Sequence, residues 1–248
     1  MADTHAAQAS FKEALAAVSG VEGWMTDEQA RRLFDRARAL APPATIVEIG
    51  SYRGRSAIVL AHGAADGVQV VAIDPHAGND RGPQQIEGSS AEGDADNAAF
   101  RQNLERAGVA ERVRHVRLPS QDALGEVAGQ VELLYVDGAH RYAPARDDIA
   151  RWGARVKPGG TLLIHDAFSS VGVTLAILRL LTPSGEWRYA GRSRSLAEYR
   201  REPVARLRNL ARQAAELPWF ARNLVIKVLV VARLRPLARA LGSGEWPY

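Results

Sequence analysis

The fold is decided by residues 44–56, which read ATIVEIGSYRGRS. The apolar stretch 44–49 predicts a buried strand, and Gly50 and Gly54 allow a tight turn into the helix that follows. A second apolar run, 68–74, comes next and ends in an aspartate. A strand, a glycine-rich loop, a helix and a second strand make a β-loop-α-β unit, which is typical of a parallel sheet.

The same alternation continues toward the C-terminus. Apolar periodicity predicts a leading helix that begins at Thr26, further helices at 98–107, 121–128, 143–156 and 171–181, and strands at 112–118, 131–137, 161–165, 187–190 and 195–199. Several strands are apolar on both faces, which indicates a sheet that helices cover on both sides. We therefore predict an α/β fold with a doubly wound, mostly parallel sheet. The polar stretch 75–94 is predicted to be a mobile loop over a site.

Composition excludes several classes of protein. The chain has 248 residues and no cysteine, which excludes disulfide scaffolds, thiolate zinc sites, iron–sulfur clusters and cysteine nucleophiles. Its first twenty residues lack a basic start followed by an apolar run, so no secretory signal is recognised. We expect a cytoplasmic protein.

Charge is unevenly distributed along the chain. The net charge is +4, but residues 1–199 carry −3 and residues 200–248 carry +7. The positive charge therefore belongs to the C-terminal part. We predict three parts: N-terminal helices (1–43), an α/β domain (44–200) and a basic, apolar helical tail (201–248).

The tail has two interpretations. Pro218 and Pro236 bracket one predicted helix that is apolar over most of its circumference. Such a helix packs against the sheet domain or a partner subunit, or it lies at an anionic membrane surface. We expect a homo-oligomer such as a dimer, with peripheral membrane contact as the second interpretation. Nucleic acid is not expected as a partner, because no aromatic stacking platform accompanies the arginines.

The loop after the first strand indicates the cofactor. It is not the G-x-G-x-x-G of dinucleotide folds, and Glu48 at the strand end would repel a pyrophosphate. A carboxylate suits a ligand with a positive end, such as the ammonium and sulfonium of S-adenosylmethionine. Asp74, which closes the second strand, is placed to accept the two ribose hydroxyls. The alternatives are a surface acid at Glu48 and a helix cap at Asp74.

Together these residues resemble a known family. The spacing is similar to the successive motifs of class I S-adenosylmethionine-dependent methyltransferases of the metal-dependent O-methyltransferase type, and the resemblance covers residues 21–200. It implies a seven-stranded sheet of Rossmann-like type. It also implies cofactor-binding roles for Glu48, Gly50, Ser51, Arg53, Gly54, Ser56, Asp74 and Asp137, with Ser120, Gln121 and Asp122 around the adenine.

Acids and histidines cluster after the later strands. Asp137 and His140 follow one strand, and His165 and Asp166 end the next. Paired carboxylates suit a hard cation such as Mg²⁺, which can lower the pKa of a bound hydroxyl. An imidazole near neutral pKa can take the proton, so His140 is the candidate general base. His165 as a third ligand favours Mn²⁺, and a core histidine bonded to backbone is the alternative.

The pair of motifs Asp137-x-x-His140 and His165-Asp166 resembles the metal-dependent sugar O-methyltransferases, including macrolide sugar enzymes and mycobacterial methylmannose polysaccharide 1-O-methyltransferase. The resemblance implies that the acids hold the metal and that the loop histidine is the base. The sequence departs from the family at His165, where relatives often have an acid, and at Ala167, where catechol-type enzymes have asparagine.

The acceptor predicted from this resemblance is a hydroxyl of a sugar, an oligosaccharide or a polysaccharide precursor. His76 and Tyr142 are candidate acceptor contacts. One alternative is O-methylation of a vicinal diol on an aromatic natural product, which would not need His140. Another is a non-catalytic cofactor-binding module that its basic tail recruits to membrane or RNA.

Overall fold

A computed structural model describes residues 9–78 and 89–242. The strands are Ala44–Ile49 (β1), Val68–Ile73 (β2), Val113–Val116 (β3), Val131–Val136 (β4), Val156–Ile164 (β5), Trp187–Ser193 (β6) and Leu196–Arg201 (β7). The helices are Phe11–Ala17 (α1), Asp27–Arg38 (α2), Arg55–Gly63 (α3), Ser90–Arg106 (α4), Tyr142–Gly153 (α5), Val171–Leu180 (α6), Arg206–Ala214 (α7), Leu217–Val231 (α8) and Arg235–Ala240 (α9).

The strands form one seven-stranded sheet in the order β3-β2-β1-β4-β5-β7-β6. β1 to β5 pair in parallel, and β7 is antiparallel to both β5 and β6. The order reverses between β1 and β4, which is where parallel sheets of this kind bind ligands. The predicted fold class, a doubly wound and mostly parallel sheet, is confirmed.

Helices cover both faces of the sheet because successive residues of each strand point to opposite sides. On β1, Ile46 is buried in a core with α1, α2 and α3, while Val47 is buried in a second core with α5 and α6. Both side chains are 0% exposed. This two-sided burial explains why the central strands are almost continuously apolar.

Several predicted boundaries differ from the structure. The loop predicted at 75–94 ends earlier, because α4 begins at Ser90 behind a capping box of Ser89 and Glu92. Residues 79–88 of that loop lie outside the described residues. The helix predicted at 121–128 is only a 3-10 turn, Ala123–Glu126. The strand predicted at 161–165 begins earlier, because residues 157–160 also belong to β5, where the pairing with β4 shifts register.

The tail is three helices. The one predicted between Pro218 and Pro236 corresponds to α8, which ends at Val231, and α7 and α9 precede and follow it. Buried side-chain amides attach these helices to the sheet domain. Asn209 accepts a hydrogen bond from Tyr189 N at 2.9 Å and donates to Trp187 O at 2.8 Å, so it binds the backbone of β6. Gln213 accepts hydrogen bonds from Thr182 and Tyr199. No helix within the described ranges is long and apolar enough to cross a membrane.

We expect the substitution Gly50→Ala to destabilise the junction of β1 and β4. Gly50 has a φ of +85°, and an added Cβ would lie 2.1 Å from the backbone oxygen of Asp137. The free energy of unfolding, measured with urea, should fall by about 2–4 kcal/mol. The control is Gly125→Ala, where no heavy atom lies within 4 Å and the change should stay within about 0.5 kcal/mol. Equal losses in the two variants would contradict this account.

Candidate active site

The glycine-rich loop lies at the carboxyl end of β1. Gly50 and Gly54 have φ values of +85° and +87°, and Gly54 N donates to Ser51 O at 2.7 Å to close the turn. α3 starts directly after Gly54 and has no side-chain cap. Gly54 at the N-cap therefore offers the backbone N–H groups of the first turn no side-chain acceptor, as in helix ends that receive ligands.

Asp74 holds this loop from the end of β2. Its Oδ2 accepts a hydrogen bond from Tyr52 N at 2.8 Å, and its Oδ1 accepts one from His76 N at 2.7 Å. Tyr52 has a φ of +45°, which is an uncommon conformation for a bulky residue. The carboxylate therefore stabilises the loop conformation, and each oxygen keeps a second lone pair.

Glu48 is fully buried beneath the loop. Its Oε1 accepts a hydrogen bond from the Ser56 hydroxyl, whereas its Oε2 has no hydrogen-bond partner among the described residues. Burial raises the pKa of Glu48 to about 8, against the lowering effect of the Ser56 hydrogen bond. A buried oxygen without a partner is costly, and it is a ready acceptor for a cationic ligand group.

A chain of hydrogen bonds joins α2 to the ends of β4 and β5. The Oε1 of Gln29 caps α2 by accepting from Thr26 N at 2.9 Å and from Thr26 Oγ1 at 3.1 Å. The amide nitrogen of Gln29 therefore faces His165, with 3.2 Å between Gln29 Nε2 and His165 Nε2. His165 Nδ1 lies 3.0 Å from Asp137 Oδ1, and Asp137 Oδ2 accepts from the Tyr135 hydroxyl at 2.7 Å.

This chain determines which nitrogen of His165 carries a proton. An amide N–H donor opposite Nε2 requires an acceptor there, so the neutral imidazole is protonated at Nδ1. Burial lowers the pKa of His165, but the carboxylates of Asp137 and Asp166 outweigh it and raise that pKa to about 9. Nδ1 therefore donates to Asp137 in the neutral and the charged form alike, whereas Nε2 accepts from Gln29 only in the neutral form.

His140 and Asp166 form a second pair beside the first. His140 Nε2 lies 2.8 Å from Asp166 Oδ2. Burial lowers the pKa of His140, but its hydrogen bond to Asp166 and the charge of that carboxylate raise it overall. Burial raises the pKa of Asp166, whereas the charge of His165 and the bond from His140 lower it to about 2. A small cleft is lined by Asp137, His140 and His165.

Comparison with known proteins gives the class of domain. Residues 47–167 match the family model described as a methyltransferase domain. This segment is similar to methyltransferase domains. The matched segment runs from β1 to the turn after β5, so it contains both the glycine-rich loop and the two His–Asp pairs.

Solved structures with this fold include methyltransferases. Cofactor-bound Rv0187 from MTB is 22% identical, with a TM-score of 0.56 over 78% of this chain and 89% of that one. The SAH-bound Podospora anserina methyltransferase PaMTH1 is 16% identical, with a TM-score of 0.55 over 77% and 87%. The O-methyltransferase TomG from Streptomyces achromogenes, in complex with SAM, is 16% identical, with a TM-score of 0.51 over 77% and 86%. At these identities the likeness shows the fold.

Some residues predicted to bind the cofactor of the methyltransferase domain make other contacts. Arg53 forms ion pairs with Glu22 and Asp96, and so ties the loop to α4. The Ser120 hydroxyl donates to Asp148, while Gln121 and Asp122 are exposed. The adenine-binding roles of these three neighbours remain predictions.

The two candidate acceptor contacts differ in exposure. Tyr142 is 37% exposed at the start of α5, whereas His76 is 4% exposed. The Nε2 of His76 lies 2.7 Å from Tyr52 O, which places its ring beneath the glycine-rich loop. The structure thus gives His76 a supporting contact to the loop. Ser51 is also buried, and its hydroxyl has no hydrogen-bond partner among the described residues.

The predicted metal ligands fit a divalent cation only in part. Asp137 and Asp166 supply carboxylates, and Asp166 Oδ1 is buried without a hydrogen-bond partner in the described structure. His165 is less suitable, because its Nδ1 carries a proton and so offers a metal no lone pair. No three His, Asp or Glu side chains of residues 9–78 and 89–242 are arranged to hold a metal ion. The geometry favours His165 as a hydrogen-bond donor, and a cation stays a prediction based on the two carboxylates.

The sequence predicted a helix beginning at Thr26 but not the contact of Gln29 in that helix with His165. It also missed Asn223 and Lys227 of α8, which donate to Phe168 O at 3.1 Å and to Ser169 O at 2.9 Å. Both carbonyls belong to the turn that follows Asp166. No local signal in the sequence predicts these contacts, because each of them joins residues more than fifty positions apart.

Glu48→Gln should stabilise the protein at alkaline pH. The folded-state pKa of about 8 lies above the ordinary value of 4.5, so the wild type loses stability as the pH rises from about 4.5 to about 8. The glutamine of the variant has no carboxyl group to ionise, so the variant does not lose this stability. Its free energy of unfolding, measured with urea, should exceed that of the wild type by on the order of 3 kcal/mol at pH 8. The difference should be much smaller at pH 5, and a difference that does not change with pH would contradict the assignment.

Proposed function

We propose that this chain transfers a methyl group from S-adenosylmethionine to a hydroxyl of a sugar or sugar-bearing acceptor. The observation that carries the proposal is the hydrogen bond from His140 Nε2 to Asp166 Oδ2, 2.8 Å long, at the strand edge beside the glycine-rich loop. This bond leaves Nδ1 of the neutral imidazole with a free lone pair. His140 is 34% exposed, so that lone pair is accessible to an acceptor.

Two observations support S-adenosylmethionine as the cofactor. The solved structures of PaMTH1 and TomG, which share the fold, contain SAH and SAM. Glu48 offers a buried oxygen without a partner at the end of β1, where a carboxylate would accept from the ammonium of the methionine portion. Gly50 and Gly54 leave the backbone of the loop open to close approach.

In the proposed methyl transfer, the cofactor and each side chain have separate roles. S-adenosylmethionine supplies, when bound, a methyl group on a positively charged sulfur that becomes a neutral thioether after transfer. His140 Nδ1 accepts the hydroxyl proton as the acceptor oxygen bonds to the methyl carbon and the carbon–sulfur bond breaks. Asp166 orients the imidazole and stabilises its charged form. Asp137, held by His165 and Tyr135, adds negative potential beside it.

The choice of a sugar hydroxyl rests on the resemblance of Asp137-x-x-His140 to sugar O-methyltransferases. An alcohol is a weaker acid than a phenol, so its methylation depends more on a positioned base. Methylation of a vicinal diol on an aromatic acceptor is the competing function, and it would use the strand-end acids without His140.

Replacement of His140 tests the base. We expect His140→Ala to lower kcat by about 10²–10⁴-fold while S-adenosylmethionine binding stays unchanged. The control is His62→Ala, which removes a histidine of α3 and should leave turnover near wild type. Methyl transfer is measured on sugar and phenolic acceptors at pH 7. Retained turnover in His140→Ala would contradict the proposed base and favour the aromatic diol.

The protonation of Glu48 gives a separate test of the cofactor site. With a pKa of about 8, Glu48 is mostly protonated at pH 7, and a bound ammonium favours its ionised form. Calorimetry in buffers of different ionisation enthalpy should show release of about one proton per S-adenosylmethionine bound at pH 7. Glu48→Gln should release about none and bind more weakly. If the wild type and Glu48→Gln release the same number of protons, the ammonium of S-adenosylmethionine does not bind at Glu48.

A divalent cation held by Asp137 and Asp166 is part of the proposal, and it would lower the pKa of the acceptor hydroxyl. We expect turnover to fall after treatment with EDTA and to return with Mg²⁺ or Mn²⁺. Asp137→Asn should abolish the response to added metal while the fold remains, as judged by circular dichroism. Full activity in EDTA would refute the metal and leave His140 and Asp166 as the complete proton-accepting machinery.

A further inference from the structure

We propose that the C-terminal helices dock on an anionic lipid surface. The tail surface is defined here as the exposed residues of α7, α8 and α9 and of the connection 232–234. The proposal is independent of the reaction proposed above, because it rests on the exposure and charge of these helices. Its occupant is a membrane surface rich in negatively charged lipid headgroups.

The tail surface exposes large apolar side chains at helical spacing. On α8, Val225 and Val228 are 49% and 66% exposed, and together with the exposed Ala221 they lie at i, i+4 and i+7 on one face. Leu234, which precedes α9, and Leu237 of α9 are 46% and 55% exposed. Soluble proteins rarely leave such stripes uncovered, and they commonly mark sites of interaction with a membrane or a partner.

The positive charge of the tail surface favours an anionic lipid surface over a second copy of the chain as its partner. Six arginines of the tail are exposed: Arg206, Arg208 and Arg212 on α7, Arg233 between α8 and α9, and Arg235 and Arg239 on α9. Ion pairs of other arginines are common in this protein, but none of these six forms one within residues 9–78 and 89–242. Residues 200–248 carry a net +7, so pairing with the tail of a second copy would bring like charges together, whereas anionic headgroups neutralise them.

The inner face of α8 is fixed to the active-site turn. Ile226 is fully buried, and Asn223 and Lys227 donate to the carbonyls of Phe168 and Ser169. Phe168 has a φ of +55°, which is costly for a bulky residue, and these bonds help to hold it. A docked α8 would therefore keep the turn after Asp166 within about one helix diameter, roughly 10 Å, of the lipid.

The helices fit the interface and not the interior of a bilayer. α8 has fifteen residues, which is shorter than the roughly 20 needed to span the hydrocarbon. A helix with an apolar face between basic residues lies in the plane of the surface and buries that face among the headgroups and upper acyl chains. Arginine stems can cover apolar surface while their charged ends reach the phosphates.

Vesicle co-sedimentation with the full chain tests the proposal. We expect binding to vesicles of equal parts phosphatidylglycerol and phosphatidylcholine, and at least about tenfold weaker binding to pure phosphatidylcholine. Binding to the anionic vesicles should weaken as salt is raised, because the arginines act through screened charges. Absence of binding to the anionic vesicles, or equal binding to both kinds of vesicle, would overturn the proposal.

Two variants separate the charged and apolar contributions. The triple change Arg233→Ala, Arg235→Ala and Arg239→Ala should lower partitioning into anionic vesicles at least about tenfold. The matched control removes as much charge elsewhere through Arg31→Ala, Arg101→Ala and Arg151→Ala, and should keep most of the binding. Val228→Glu should also weaken binding severalfold, and circular dichroism and thermal unfolding check that each variant folds.

Light scattering decides between the membrane and a second copy of the chain. We expect Val228→Glu to leave the molecular mass in solution unchanged. A dimer that Val228→Glu dissociates, combined with no binding of the wild type to anionic vesicles, would assign the tail surface to a subunit interface and overturn the lipid assignment. Equal losses of vesicle binding in the two triple variants would overturn it as well, because charge alone would then explain the binding.

Discussion

The close approach of β1 and β4 is the constraint on which the candidate site depends. Asp137 N donates to Ile49 O at 2.8 Å, and Gly50 N donates to Ile73 O at 2.9 Å. There is no room for a Cβ at Gly50 against the backbone of Asp137. Because the carboxyl ends of parallel strands meet at one edge, this approach brings the glycine-rich loop next to the residues that follow β4 and β5.

The orientation of the acids and histidines at the ends of β4 and β5 depends on partners from distant parts of the chain. Gln29 of α2 directs Nε2 of His165, so that Nδ1 of His165 binds Asp137. Asp166 in turn binds Nε2 of His140. Buried hydrogen-bonded networks of this kind rigidify the groups they contain. The N-terminal helices therefore contribute to the site as well as covering one face of the sheet.

Prediction from sequence was most successful for elements with a regular pattern of apolar residues. The apolar runs predicted the central strands, because strands buried on both faces have little choice of residue. It was least successful at boundaries such as the start of α4 at Ser90, which follows a capping box inside a polar stretch. It also placed the end of the helix between Pro218 and Pro236 too late and gave no bounds for α7 and α9, because no local signal predicts the break after Val231 or the buried contacts of Asn209 and Asn223.

The sequence by itself determined the parallel α/β fold, the glycine-rich loop after β1 and the presence of acids and histidines at the ends of β4 and β5. These follow from periodicity and from residue type, which are local properties. Only the tertiary structure decided that His165 is a hydrogen-bond donor between Gln29 and Asp137, that His140 pairs with Asp166, and that α8 holds the turn after β5 while exposing its outer face. Those outcomes depend on contacts between residues far apart in the chain, whose geometry is set by packing of the whole sheet and its helices.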